Sequence, residues 1–126
     1  MSRLLVDTHA LLWWLGDDPK LPEAVRAAIA EPANEPLVSA ASMWEIAIKR
    51  SLGKLTVPED LPAQITTGGF GWLPVTQEHA WEVRELPPHH RDPFDRLLIA
   101  QSLTERIPVI TQDAHFAGYG IDVRWT

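Results

Sequence analysis

The sequence predicts a three-layer α/β/α single domain with a mainly parallel central sheet, spanning residues 1–126. Short apolar runs alternate with helical patterns along the whole length, which is the signature of successive βαβ units. The apolar runs read as strands covered on both faces, as parallel strands are. A chain of 126 residues with 45% hydrophobic residues supports one genuine core and leaves no room for a second. No internal repeat, low-complexity tract or interdomain linker interrupts it.

Leu4–Val6 is the first expected strand, and "HALLWWL" the helix after it. "PEAVRAAIAE" forms an amphipathic helix with Pro22 and Glu23 in its first turn and stops before Pro32. "PLVSA" is a second short strand, after which Ser39 or Ser42 can cap the helix "MWEIAIKRSLG" ending on Gly53. Pro58 opens another short helix, and "GGFGWLPV" turns into a third strand. "QEHAWEVREL" is helical and "PPHH" a loop. A helix then runs from Pro93 to Glu105, followed by strand "PVIT", a short helix near "AHFAG" and a closing strand "DVRWT".

Composition excludes several function classes. Without cysteine there is no disulfide framework, thiolate chemistry or Cys-based zinc site. The amino-terminal apolar run is interrupted by Asp7 and His9, and no apolar stretch approaches the length of a membrane span, so a mature cytoplasmic protein is expected. The net charge of −6 argues against general electrostatic adhesion to nucleic acid and leaves room for a local basic patch. Core packing is expected to account for most of the six tryptophans, with one or two left to line a groove for a partner.

The informative residues are acids. In α/β sheets, sites form beyond the carboxyl ends of strands. Asp7 directly follows the first strand and Asp113 comes two residues after Val109–Thr111. Glu45 interrupts the apolar "ASMWEIAIK", where an unpaired carboxylate is costly to bury. Asp92 and Asp95 stand at the start of the "LLIAQ" helix. Each has a structural alternative: Asp7 and Asp92 as helix caps, Asp95 in a first turn favoured by the helix dipole, Asp113 in an Asx turn, and Glu45 paired with Lys49. An i,i+4 pair of that kind contributes only about 0.2–0.5 kcal/mol, too little to justify burying Glu45.

A shared cation accounts for all of them together. Two carboxylates about 4 Å apart repel by roughly 4 kcal/mol at an effective dielectric near 20. Hard oxygen ligands of this kind select Mg²⁺ or Mn²⁺ over Zn²⁺.

Four segments carry a family resemblance: "LLVDTHALLWWL", "SAASMWEIAIK", "HRDPFDRLLIAQ" and "VITQDAHF". In this order the sequence resembles the PIN-domain nucleases, and among them the VapC-type toxins of prokaryotic toxin–antitoxin pairs. The resemblance implies a PIN-like fold and Mg²⁺- or Mn²⁺-dependent hydrolysis of RNA, with in-line attack by a metal-activated water. It places the acidic set on Asp7, Glu45 and Asp113, plus a third acid that is either Asp92 or Asp95. Asp95, nearer "LLIA", is favoured as catalytic, with Asp92 as cap or supporting ligand. Thr8 and Thr111 would position ligands or water. His89, His90, Arg91 and Arg96 could bind the RNA backbone, with a solvated loop as the alternative, and His9 is more in keeping with a structural role. The resemblance also implies a homodimer held inactive by a cognate antitoxin.

Other readings fit less well. A receiver-type phosphotransfer domain needs an acid pair after the first strand and a late Lys; Asp7 has no acidic neighbour and "VITQD" has no Lys. A dehalogenase-like site needs a second Asp where His9 stands. An inactive binding module would be expected to have lost at least one of the acids.

Overall fold

A computed structural model describes residues 2–125. Five strands form one sheet in the order β3-β2-β1-β4-β5, and all four pairings are parallel. The strands are β1 (Ser2–Val6), β2 (Asn34–Ser39), β3 (Gly71–Leu73), β4 (Val109–Ile110) and β5 (Val123–Arg124). The helices are α1 (Thr8–Leu15), α2 (Glu23–Ala30), α3 (Ala40–Ser51), α4 (Leu61–Thr67), α5 (Gln77–Glu82) and α6 (Pro93–Glu105). Two 3₁₀ turns, Val83–Glu85 and Ala114–Tyr119, complete the order. None of the described helices is long and apolar enough to cross a membrane.

The period-2 pleat divides the core between the two faces of the sheet. Leu4, Val6, Val38 and Ile110 pack on one side with Leu11, Val25, Ile46 and Ile65 from α1 to α4. Leu5, Leu37 and Val109, their sequence neighbours, pack on the other with Leu98 and Ile99 of α6 and Phe116. Adjacent residues on one strand thus enter different cores, which is why the strands read as unbroken apolar runs.

Chain direction divides at β1. The chain moves outward to β2 and β3, then returns to the other side of β1 as β4. The crevice beyond the carboxyl ends of β1 and β4 is where a sheet of this topology places its ligands. Asp7 N–H donates to Ile110 O at 3.1 Å, which locks those two strand ends together.

Several boundaries differ from the sequence expectation. Ser39, not Ser42, caps α3, accepting from Ala41 N at 3.0 Å, so the helix starts at Ala40 and takes the last residue of "PLVSA". The segment 77–86 is α-helical only to Glu82, and "AHFAG" lies in a 3₁₀ turn. The closing strand is Val123–Arg124; Thr126 of "DVRWT" lies outside the described residues. Trp44, Trp72 and Trp81 are exposed, so only three of the six tryptophans pack against the core. Helix α3 is also less enclosed than its composition suggests, since Trp44 and Ala47 face solvent while Glu45 and Ile46 face inward.

A polar tie fastens α5 to α6. His79, fully buried, accepts from Thr76 N through Nδ1 at 3.0 Å and donates from Nε2 to Glu105 Oε2 at 2.9 Å. This hydrogen bond holds the Glu105 carboxyl below its ordinary value of 4.5. The folded value lies below the unfolded one, so the tie stabilises fully above pH 4.5 and is lost as pH falls through the folded value. Glu105→Gln, which cannot titrate, should flatten the acid side of the stability–pH curve measured by urea unfolding. Ile99→Ala, at a fully buried site between sheet and α6, should cost about 2–5 kcal/mol in the same measurement.

Candidate metal centre

The site begins with what holds each acid. Asp7 is the N-cap of α1: Oδ1 accepts from Ala10 N at 2.8 Å, and Oδ2 accepts from Thr111 Oγ1 at 2.5 Å. Thr111 in turn accepts from Asp113 N at 3.0 Å, so one hydroxyl joins the acids after β1 and β4. Burial pushes the Asp7 carboxyl above its ordinary range, although Thr111 and Ala10 pull it down.

Glu45 is buried on the inward side of α3. Its Oε1 accepts from Thr8 Oγ1 at 2.8 Å, with the Ser42 hydroxyl 3.1 Å from the same Thr8 oxygen. Its Oε2 takes Lys49 Nζ at 2.7 Å, the i,i+4 pair that the spacing allowed. That hydrogen bond raises the Lys49 pKa, helped by the charges of Glu45, Asp92 and Asp95 against the opposing effect of burial.

The two aspartates of α6 have separate surroundings. Asp92 caps the helix, its Oδ1 accepting from Phe94 N at 2.8 Å and Asp95 N at 3.1 Å, with Pro93 at the first helical position. Asp95 caps nothing. Its carboxyl is pushed up to about 7, first by burial and then by the negative charge of Asp92, with smaller contributions from Glu45 and Asp7; His90 acts in the opposite direction. Four of the five acids are therefore close enough to oppose each other's ionisation. The fifth, Asp113, adds its charge to Asp7.

Asp113 forms an Asx turn, Oδ1 accepting from His115 N at 2.9 Å. Burial raises its pKa, but hydrogen bonds from His115 N and from the rings of His90 and His115 outweigh this and bring it below the ordinary value. The structure thus realises the caps, turn and ion pair that each acid could make locally, and also draws the five acids to one sheet edge.

His90 is the participant that the sequence undervalued. Its Nε2 lies 3.0 Å from Asp95 Oδ2 and 2.9 Å from Asp113 Oδ2. The ligand atoms of His90, Asp95 and Asp113 all lie within 4.8 Å of one another, the one such group among the described residues. A residue two positions before a capping Asp gives no sign that it meets an acid 23 positions downstream.

The basic residues of this loop are divided. Arg91 is exposed. Arg96 donates to four backbone carbonyls, Val83, Leu86, Pro87 and His90, at 3.0–3.3 Å, and so clamps the loop before α6. His9 is exposed and packs its ring 6.0 Å from that of Trp13, and His89 lies against Tyr119. A cleft of about 520 Å³ sits on another side of α3, lined by residues including Met43, Ile46, Arg50, Leu55 and Pro58. None of the five acids lines it, so the acidic cluster lies apart from that cleft.

The donor set suits a hard divalent cation: carboxylate oxygens, one of them on a group pushed up to about 7 by burial and by the neighbouring acids. Comparisons with known proteins agree with the architecture. The chain is 29% identical over 124 residues to ribonuclease VapC22 of Mycobacterium tuberculosis, covering 90% of this chain and 88% of that one. It superimposes on the VapBC2 complex of Rickettsia felis bound to a promoter DNA fragment with a TM-score of 0.73, at 13% identity and 97% coverage of each chain. DNA-bound VapBC of Salmonella typhimurium gives 0.72, at 16% identity and 100% coverage of each. The PIN-domain model matches residues 4–121, nearly the full length of the fold just described, and the chain belongs to the PIN-domain family.

Proposed function

We propose that this protein is a divalent-metal-dependent endoribonuclease, acting as the toxin of a toxin–antitoxin pair. One observation carries the chemistry: Asp95, whose carboxyl is pushed up to about 7 by burial and by surrounding acids at the carboxyl edge of the sheet. A group so placed calls for a cation. The relative named a ribonuclease supports RNA as substrate. The VapBC complexes among the structural neighbours support an antitoxin as partner, and a homodimer is the assembly we expect.

In this reading Asp7, Glu45, Asp95 and Asp113 hold Mg²⁺ or Mn²⁺, with Asp92 supporting from the helix cap. A bound ion of this kind supplies positive charge to the phosphate oxygens and acidifies an attacking water. The chain's own groups do the rest. Thr111 orients Asp7 and fixes the backbone of Asp113; Thr8 and Lys49 orient Glu45. Arg91, exposed and next in sequence to Asp92, would meet the RNA backbone in this reading, while Arg96 keeps the loop in shape.

Purified protein incubated with total RNA should cleave it with Mg²⁺ or Mn²⁺ and stop on addition of EDTA. Asp7→Asn and Asp95→Asn should each lose roughly 100-fold or more in rate with the fold intact. Undiminished cleavage in EDTA or in Asp7→Asn would overturn the mechanism. Asp92→Ala, which removes the cap, should mainly lower stability, by about 0.5–2 kcal/mol, whereas Asp92→Asn should keep the cap. Loss of cleavage in Asp92→Asn with an unchanged melting temperature would move the third acid to that residue.

The same crowding has a thermodynamic consequence. The folded value of Asp95 lies above its unfolded 3.8, so its contribution to stability is complete below that pH and is lost as pH rises through about 7. At pH 8, Asp95→Asn should therefore melt higher than the wild type without metal. Added Mg²⁺ should raise the wild-type melting temperature more than that of the variant.

A further inference from the structure

The position of His90 raises a question that the carboxylates alone do not. Its Nε2 lies between Asp95 Oδ2 and Asp113 Oδ2, at 3.0 and 2.9 Å, inside the group of atoms that could hold a metal ion. An imidazole there can either ligate an ion or stand in its place, and the loop around it decides which. Asp92 N–H donates to His90 Nδ1 at 3.2 Å, which uses the lone pair on that nitrogen and leaves the ring proton on Nε2. A protonated Nε2 has no lone pair for a metal, but it is a good donor to carboxylates.

The ring is held by its backbone and by its neighbours. His90 N–H donates to Tyr119 Oη at 2.7 Å, and its carbonyl accepts from Arg96 Nη1 at 3.1 Å, so the backbone is fixed on both sides. Phe116 and His115 pack edge-on to the imidazole, with centroids 6.1 and 5.5 Å away. Asp92 thus has two tasks: its side chain starts α6, and its backbone N–H sets the tautomer of the residue facing the acids.

We propose that His90 is a positioning residue that substitutes for the cation in the metal-free protein, and that a divalent ion held by Asp95 and Asp113 must displace its Nε2–H. The ring keeps the two carboxyl groups at a spacing that an ion can bridge, and it competes with that ion for them. Its effect is a lowered metal affinity, not a metal ligand. This inference rests on the proposed metal-dependent function.

The test uses MnCl₂ alone, without RNA, on the full chain. By titration calorimetry His90→Ala should bind Mn²⁺ about 10-fold more tightly than the wild type, the size of effect expected of a group acting next to a metal ligand. Because the variant can lose its fold, two measurements are made on the wild type. The ¹⁵N shifts of the His90 ring in metal-free protein should be those of the Nε2–H tautomer. Pulsed EPR of the Mn²⁺-loaded protein should show no ¹⁴N coupling from a ligating imidazole. Equal or weaker Mn²⁺ binding by folded His90→Ala, an Nδ1–H tautomer, or ¹⁴N coupling that disappears in the variant would overturn the proposal. Any of these with Asp95→Asn still inactive on RNA overturns only the role of His90. Absence of Mn²⁺ binding by the wild type overturns the metal-dependent reading as well.

Discussion

Asp7 and Thr111 are 104 residues apart in sequence, and the hydrogen bond between them fixes the geometry on which the rest of the site depends. It joins the carboxyl ends of two neighbouring parallel strands at the point where the chain changes direction across the sheet. The same hydroxyl accepts from Asp113 N, so a single threonine aligns two acids contributed by different strands. Parallel pairing makes this possible, because it brings all strand carboxyl ends to one edge. An antiparallel sheet would divide these residues between opposite edges.

That edge concentrates like charge, and the protein restrains each member separately. Backbone amides at helix or turn starts hold Asp7, Asp92 and Asp113, while Thr8 and Lys49 hold Glu45. Asp95 has no amide, hydroxyl or ammonium donor, only the His90 ring beside it, and its carboxyl is pushed up to about 7. Local hydrogen bonds and a shared site are therefore compatible. A helix cap occupies some lone pairs of a carboxylate and orients it, leaving others directed at the crevice. Capping and metal binding compete as explanations only when each residue is considered in isolation.

Much of this was legible in the residues themselves. Leu4–Val6, a serine cap for α3 at Ser39 or Ser42, the Pro93 helix start and the acids at strand ends all follow from propensities that act over a few positions, and the structure realises the elements in the expected order. The errors are equally local in origin. Composition alone made α3 look enclosed and the tryptophans look internal, because apolar character does not say which face of a helix meets the sheet. Trp44 faces solvent one residue before the buried Glu45.

The sequence by itself determined the α/β class, the order of the strands and helices, and the candidate acids, since periodicity, caps and charge are written in near neighbours. Only the tertiary structure decided how those acids are coupled. It placed His90 between Asp95 and Asp113, turned Arg96 inward as a loop clamp, and left Asp92 capping while Asp95 lies among the other acids. These pairings span from a few residues to more than a hundred and depend on which strand lies beside which. That order follows from burying both faces of the whole sheet at once, and no short window of sequence contains it.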